Sequence, residues 1–138
     1  VTALLLAAVA AGIYLLVVWV PVWVIHYEVR QVVRDHGNQA VKNPDDAELK
    51  ERMLAKLRSL DSVTVVGEDG RAQRVPTVDV RPQELVWERE DRGAFPTLHV
   101  AFEYPREVHY PFVDRWQEVT MRVDLTMDIS RPDWGPAR

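Results

Sequence analysis

The chain has no cysteine among its 138 residues, which excludes disulfide bridges, thiolate metal sites and cysteine nucleophiles. It also lacks a strong charge imbalance: the formal net charge is −4, so no basic footprint for nucleic acid exists. Only 6 glycines are present, scattered at turns and ends, and none builds a phosphate-cradling loop. A further absence is local. Residues 1–25 carry no charged side chain, and all 17 Lys and Arg and all 21 Asp and Glu lie beyond them. Thr2 and the aromatic rings are the polar features of that stretch. The two parts of the chain suit different solvents.

About 20 helical residues at ~1.5 Å each cross a hydrocarbon core of about 30 Å. Residues 1–25 are therefore expected to form a retained transmembrane helix. The apolar region of a secretory signal is shorter, about 7–15 residues, and no small-residue cleavage pattern follows this run. Trp19, Trp23 and Tyr27 recur every four residues and so share one helix face. Rings with an apolar body and a polar edge favour the headgroup layer. These three are expected at the membrane interface, with packing on a neighbouring subunit as the alternative. Ala7, Ala8, Ala10, Ala11 and Gly12 make a small-residue surface suited to close helix packing in lipid. Pro21 removes one backbone donor and predicts a kink.

Past the run, residues 26–37 read as an amphipathic continuation of the same helix. Ile25, Val29, Val32 and Val33 keep a dry face, while Glu28, Arg30, Gln31, Arg34 and Asp35 take the wet one. Gly37 and Asn38 predict the stop. Residues 43–130 read as a small α+β soluble domain. Asn43 as cap and Pro44 at the first helical position start a helix ending at Leu60, with Leu49, Met53, Leu57 and Leu60 inward. "SVTVV" and "RAQRV" flank the turn "GEDG" as a hairpin. "ELVWERE", "TLHVAFEY" and "EVTMRVDLTMDI" alternate apolar and polar residues, as in an antiparallel sheet covered by helices on one side. Residues 131–138, rich in proline, predict an irregular tail. The expected fold is thus α+β: a long transmembrane helix continuing into a soluble domain, with a second helix packed on an antiparallel sheet.

Two stretches carry a resemblance: "VPVWVIHYEVRQVV", and "FEYPREVHYPFVDRWQEVTMRVDLTMDISRP" with its turn at Pro111 and Phe112. They resemble a family of bacterial single-span membrane proteins of unknown function whose N-terminal helix is like that of type IV pilins. The resemblance implies an inner-membrane anchor with its soluble domain in the periplasm. More distantly, the chain is similar to type IV pilins themselves, whose long N-terminal helix packs on a sheet. It departs from them at Leu4, Leu5 and Leu6, where pilins usually carry an acidic residue. Arg30, Arg34 and Lys42 follow the apolar run, and that count by itself favours a cytoplasmic domain.

Few side chains suggest chemistry. His26, His36, His99 and His109 form no HExxH or i, i+4 pair. His99 and His109 would offer a metal two nitrogens if their segments faced each other across a hairpin, but surface histidines are the commoner outcome. His26 suits a pH sensor, a ligand to a partner's cofactor or, more simply, a polar anchor. Glu88, Glu90 and Asp91 read as a solvated rim beside Arg89 and Arg92. Ser59, Ser62 and Ser130 lack the setting of a nucleophile. Trp116 and Trp134 are candidate docking residues. No catalysis, metal or cofactor is expected. The expected role is a single-pass, pilin-like structural or assembly subunit that braces a membrane complex or filament. Its partners would be the lipid bilayer and other transmembrane helices, or copies of itself. An accessory subunit of a respiratory or photosynthetic membrane complex is the alternative.

Overall fold

The structure, a computed structural model, describes residues 1–91, 93 and 95–131. The expected irregular tail, apart from its first residue, and Trp134 lie outside the described residues, as does Arg92. The elements in order are α1 (Thr2–Ala40), α2 (Asp46–Leu60), β1 (Ser62–Val66), β2 (Ala72–Pro76), a short 3-10 turn (Pro82–Glu84), β3 (Val86–Glu90), β4 (Thr97–Tyr110) and β5 (Arg115–Asp128). The chain is α+β, as its two periodicities require.

The 39 residues of α1 make a rod of ~58 Å at about 1.5 Å per residue. The helix passes from uncharged to amphipathic sequence without a break, and Pro21 lies inside it. It does not stop at Gly37. That glycine is buried, and a Cβ on it would overlap Sδ and Cε of Met127 in β5. Its small size admits a close approach of helix and sheet, so a residue that reads locally as a helix stop serves tertiary packing instead. The end comes at Val41, where the Val41 N–H reaches the Asn38 carbonyl and the Lys42 N–H the Gln39 carbonyl.

The start of α2 also differs from expectation. Asp45, not Asn43, is the N-cap, and its Oδ1 accepts from the Glu48 N–H at 3.1 Å. Asn43 Oδ1 instead accepts from the Asp45 N–H at 2.9 Å, and its Nδ2 donates to Glu48 at 3.2 Å. Pro44 therefore lies in the turn before the helix rather than in its first position. Asp and Asn both compete for local backbone donors, and their order along the chain decides which one caps. Of the inward stripe, Leu49, Met53 and Leu57 are fully buried, as their spacing demands, and Leu60 at the helix end is half-buried.

The single expected sheet is two sheets. β1 and β2 form an antiparallel hairpin, and β3, β4 and β5 form a separate antiparallel sheet with β4 central. α2 packs chiefly on α1 and touches β2, while α1 itself covers β4 and β5. β4 and β5 are longer than their alternation suggested, because they pair without interruption from Thr97↔Asp128 to Tyr110↔Arg115. Pro105 sits in the middle of β4, and this is tolerated because β3 pairs with β4 only from Thr97 to Ala101. Beyond Ala101 one side of β4 is an edge, where a missing donor breaks no ladder bond. Leu98, Val100, Phe102, Tyr104 and Val108 point inward and are buried with Val29 and Val33 of α1. Each such side chain contributes about 1.5–3 kcal/mol on leaving water.

Candidate membrane-facing surface

Three contacts fix how the helix and sheet lie together. The Tyr14 hydroxyl donates to the Pro111 carbonyl, His26 Nδ1 and the Tyr104 hydroxyl share a hydrogen bond of 2.9 Å, and Gly37 meets Met127, which pairs with Leu98. The contact points advance along α1 as they retreat along β4, so the two elements run antiparallel. The turn joining β4 to β5, residues 111–114, consequently faces the end of the molecule from which the start of α1 projects.

This arrangement divides α1 into unlike parts. From Tyr14 onward one face is covered: Val18, Val22, Val29 and Val33 are buried, and Tyr14, Trp19 and Ile25 pack half-buried against the same core. The opposite face bears Leu16, Val20, Trp23, Val24 and Tyr27, all exposed. Before Tyr14 every residue is exposed, and Leu4, Leu5 and Leu6 project at successive steps of ~100° around the axis. Ala7, Ala8, Ala11 and Gly12 belong to this free segment, and a Cβ added at Gly12 would meet nothing within 4 Å. The three rings expected at the interface are not treated alike. Trp19 leans on the core, whereas Trp23 and Tyr27 remain exposed and Trp23 lies edge-on to His26 at 5.9 Å.

At the turn, Phe112 is 100% exposed and has φ of 70°, and Asp114 has φ of 50°. A bulky residue in the left-handed region is uncommon, and the strain is of order 1–3 kcal/mol. The ring is held outward, 6.5 Å from the Tyr14 ring. Val113 is exposed beside it. Trp116, the candidate docking residue, is also exposed and stacks on its cross-strand neighbour His109 at 4.4 Å.

The remaining candidates resolve into structural roles. His99 and His109 do not face each other: both lie on β4, opposite Thr126 and Trp116 respectively. Ten positions of a strand separate them by ~33 Å, so the two-nitrogen metal site is ruled out. His99 sits 2.8 Å from Asp124 and 3.5 Å from Glu88. Their hydrogen bonds raise its pKa above the usual histidine value, and the same bond lowers that of Asp124. His36 is buried with Nδ1 2.7 Å from the Val32 carbonyl. Burial pushes the Tyr104 hydroxyl up to about 12, against the opposing charge of Arg106, so it stays protonated in its bond to His26. Among the described residues no group of three or more His, Asp or Glu is placed to hold a metal.

Sequence reasoning missed the polar joints of the domain. Arg89 stands among the charges expected as a wet rim, yet its side chain is only 13% exposed. It turns away from exposed Glu88, Glu90 and Asp91 to bond Asp46 at 2.6 Å, the Ala40 carbonyl at 3.0 Å and the Asn43 carbonyl at 3.0 Å. One guanidinium thereby ties the end of α1, the start of α2 and β3 together. Asp61 does similar work at the other end of α2: it accepts from Thr77 at 3.0 Å and from Arg106 at 3.3 Å. Tyr14 did carry a signal, since a hydroxyl set in an otherwise apolar run needs a partner. No known protein family, curated protein or solved structure matches the chain.

Proposed function

We propose that this chain is a single-pass, membrane-anchored structural or assembly subunit of pilin-like design, without catalytic activity, that braces a membrane complex or filament through helix packing. The observation that carries this reading is the two-sidedness of α1. The sheet grips one face from Tyr14 onward, yet the opposite face keeps Leu16, Val20, Trp23, Val24 and Tyr27 in the open. A soluble domain would not maintain an uncovered apolar stripe beside its own core. A neighbouring helix laid along the stripe would bury it, and the free segment with Ala7, Ala8, Ala11 and Gly12 would continue that contact into lipid. The domain's polar joints, Arg89 and Asp61, suit a rigid strut. The soluble domain is proposed to lie on the periplasmic side of a bacterial inner membrane.

Purification in mild detergent followed by mass spectrometry of the co-purifying chains tests this. Recovery of homopolymer or of a fixed set of membrane partners supports the subunit, the first as filament and the second as an accessory of a larger complex. A lone monomer whose Val20→Glu variant partitions and sediments unchanged would sink the reading. Protease protection in intact spheroplasts tests the side of the membrane.

A further inference from the structure

We propose that the turn between β4 and β5 is a second membrane contact, which seats Phe112 and Val113 in the lipid headgroup layer beside α1. The inference rests on the anchored reading above and deepens it. The Tyr14–Pro111 hydrogen bond and the Tyr14–Phe112 ring contact hold the turn at a fixed level on the helix, at the point where the free segment begins. Whatever surface the free segment enters, the turn meets first.

Lipid is the occupant that the pattern of exposure favours. A protein partner covers one stripe of a helix, whereas residues before Tyr14 are apolar on every side, as suits a surrounding solvent of hydrocarbon. The turn is continuous with that segment and shares its character. It offers a proline, a fully exposed phenylalanine and a valine, with the exposed indole of Trp116 behind them. Asp114 and Arg115 follow at once and are exposed. Their charge limits how far the turn can sink, so the hairpin acts as a depth stop. The headgroup layer then crosses the molecule near Tyr14, below Trp23 and Tyr27, so those two rings stand outside it, available to a partner helix. The 13 free residues form a span of ~20 Å, shorter than the expected 1–25, which a bilayer meets by local thinning.

The absence of cysteine makes the test direct. Single variants Phe112→Cys, Leu6→Cys and Lys42→Cys of the full chain carry an environment-sensitive NBD label in phosphatidylethanolamine–phosphatidylglycerol vesicles. Lys42 is exposed at the far end of α1 and serves as the aqueous reference. Nitroxide lipids labelled near the headgroup should quench position 112 at least about twofold more than position 42, as expected for a group at the acyl boundary. Val113→Cys repeats the measurement if substitution at 112 disturbs the turn. Quenching at both 6 and 112 supports the contact and the anchor together. Quenching at 6 with aqueous behaviour at 112 and 113 overturns the contact and leaves the anchor standing. Aqueous behaviour at all positions overturns both. A blue-shifted label at 112 that lipid nitroxides do not quench means the turn is covered by protein, and this too overturns the proposal.

Discussion

The two ends of α1 share one backbone geometry and nothing else. Around Val29 and Val33 the helix is roofed by the sheet, flanked by α2 and tied at Ala40 by Arg89. Around Leu5 and Val9 every residue is exposed, and the helix presents hydrocarbon on all sides. A valine at one end is fully removed from water by the protein, and a valine at the other would need a different solvent to achieve the same. Helical structure says little about what stabilises a segment; its surroundings decide.

One substitution placed at both ends should break that comparison most visibly. Val33→Asp puts a charge into a site of 0% exposure and is expected to cost more than about 4 kcal/mol, enough to unfold the domain in urea titrations. Val9→Asp should leave the urea midpoint of the domain unchanged. On the proposed anchored reading its effect falls on vesicle binding instead: a carboxylate inside a span costs roughly 2.5–3.5 kcal/mol, so flotation with vesicles should fall by about a hundredfold. Equal effects of both variants on urea stability would show that the free segment belongs to the core.

A smaller loss is expected at the joint that holds the roofed end. Arg89→Ala removes the bonds to Asp46, Ala40 and Asn43 and should lower unfolding free energy by about 2–4 kcal/mol. Arg89→Lys should restore little of it, because an ammonium cannot reach three acceptors in one plane. Smaller again is Tyr14→Phe, which deletes the bond to Pro111 at the boundary between the two ends. About 0.5–1.5 kcal/mol of local protection should disappear, read as faster amide exchange confined to residues 108–114.

The smallest effect concerns the outer face of the sheet, far from either end. His99 has a raised pKa, so its pairing stabilises the fold below the unfolded value of about 6.5 and is lost as pH rises through the folded one. Asp124 has a lowered pKa, so its share is present above about 3.9 and is lost as pH falls through the folded value. The pair therefore helps most between those limits, and only slightly, since both groups are exposed. An NMR titration of the His99 ring should give a midpoint above the usual value, returning toward it in Asp124→Asn.

Where sequence and structure agree, the cause is periodicity. The stripe Leu49, Met53, Leu57 and Leu60 and the alternation Leu98, Val100, Phe102 and Tyr104 each name a dry face before any partner is known. All of these side chains are buried except Leu60, which is half-buried at the helix end. Where they part, one residue type had two uses. Gly37 suited a helix stop and admits Met127; Asn43 suited a cap and shapes the turn before one. Arg89 alternated into the inward register of β3, a signal hidden by the acidic residues around it.

By itself the order of residues determined that the chain begins in a long apolar helix, continues as an amphipathic one and ends in alternating strands, because local spacing alone sets which side of each element is dry. Only the tertiary structure decided that the three-stranded sheet reaches back along α1 to Tyr14, that the turn at Phe112 stands beside the free segment, and that one arginine joins three elements. Those facts depend on atoms brought together from positions 14 and 111, or 40, 46 and 89, and no spacing along the chain encodes so long a separation.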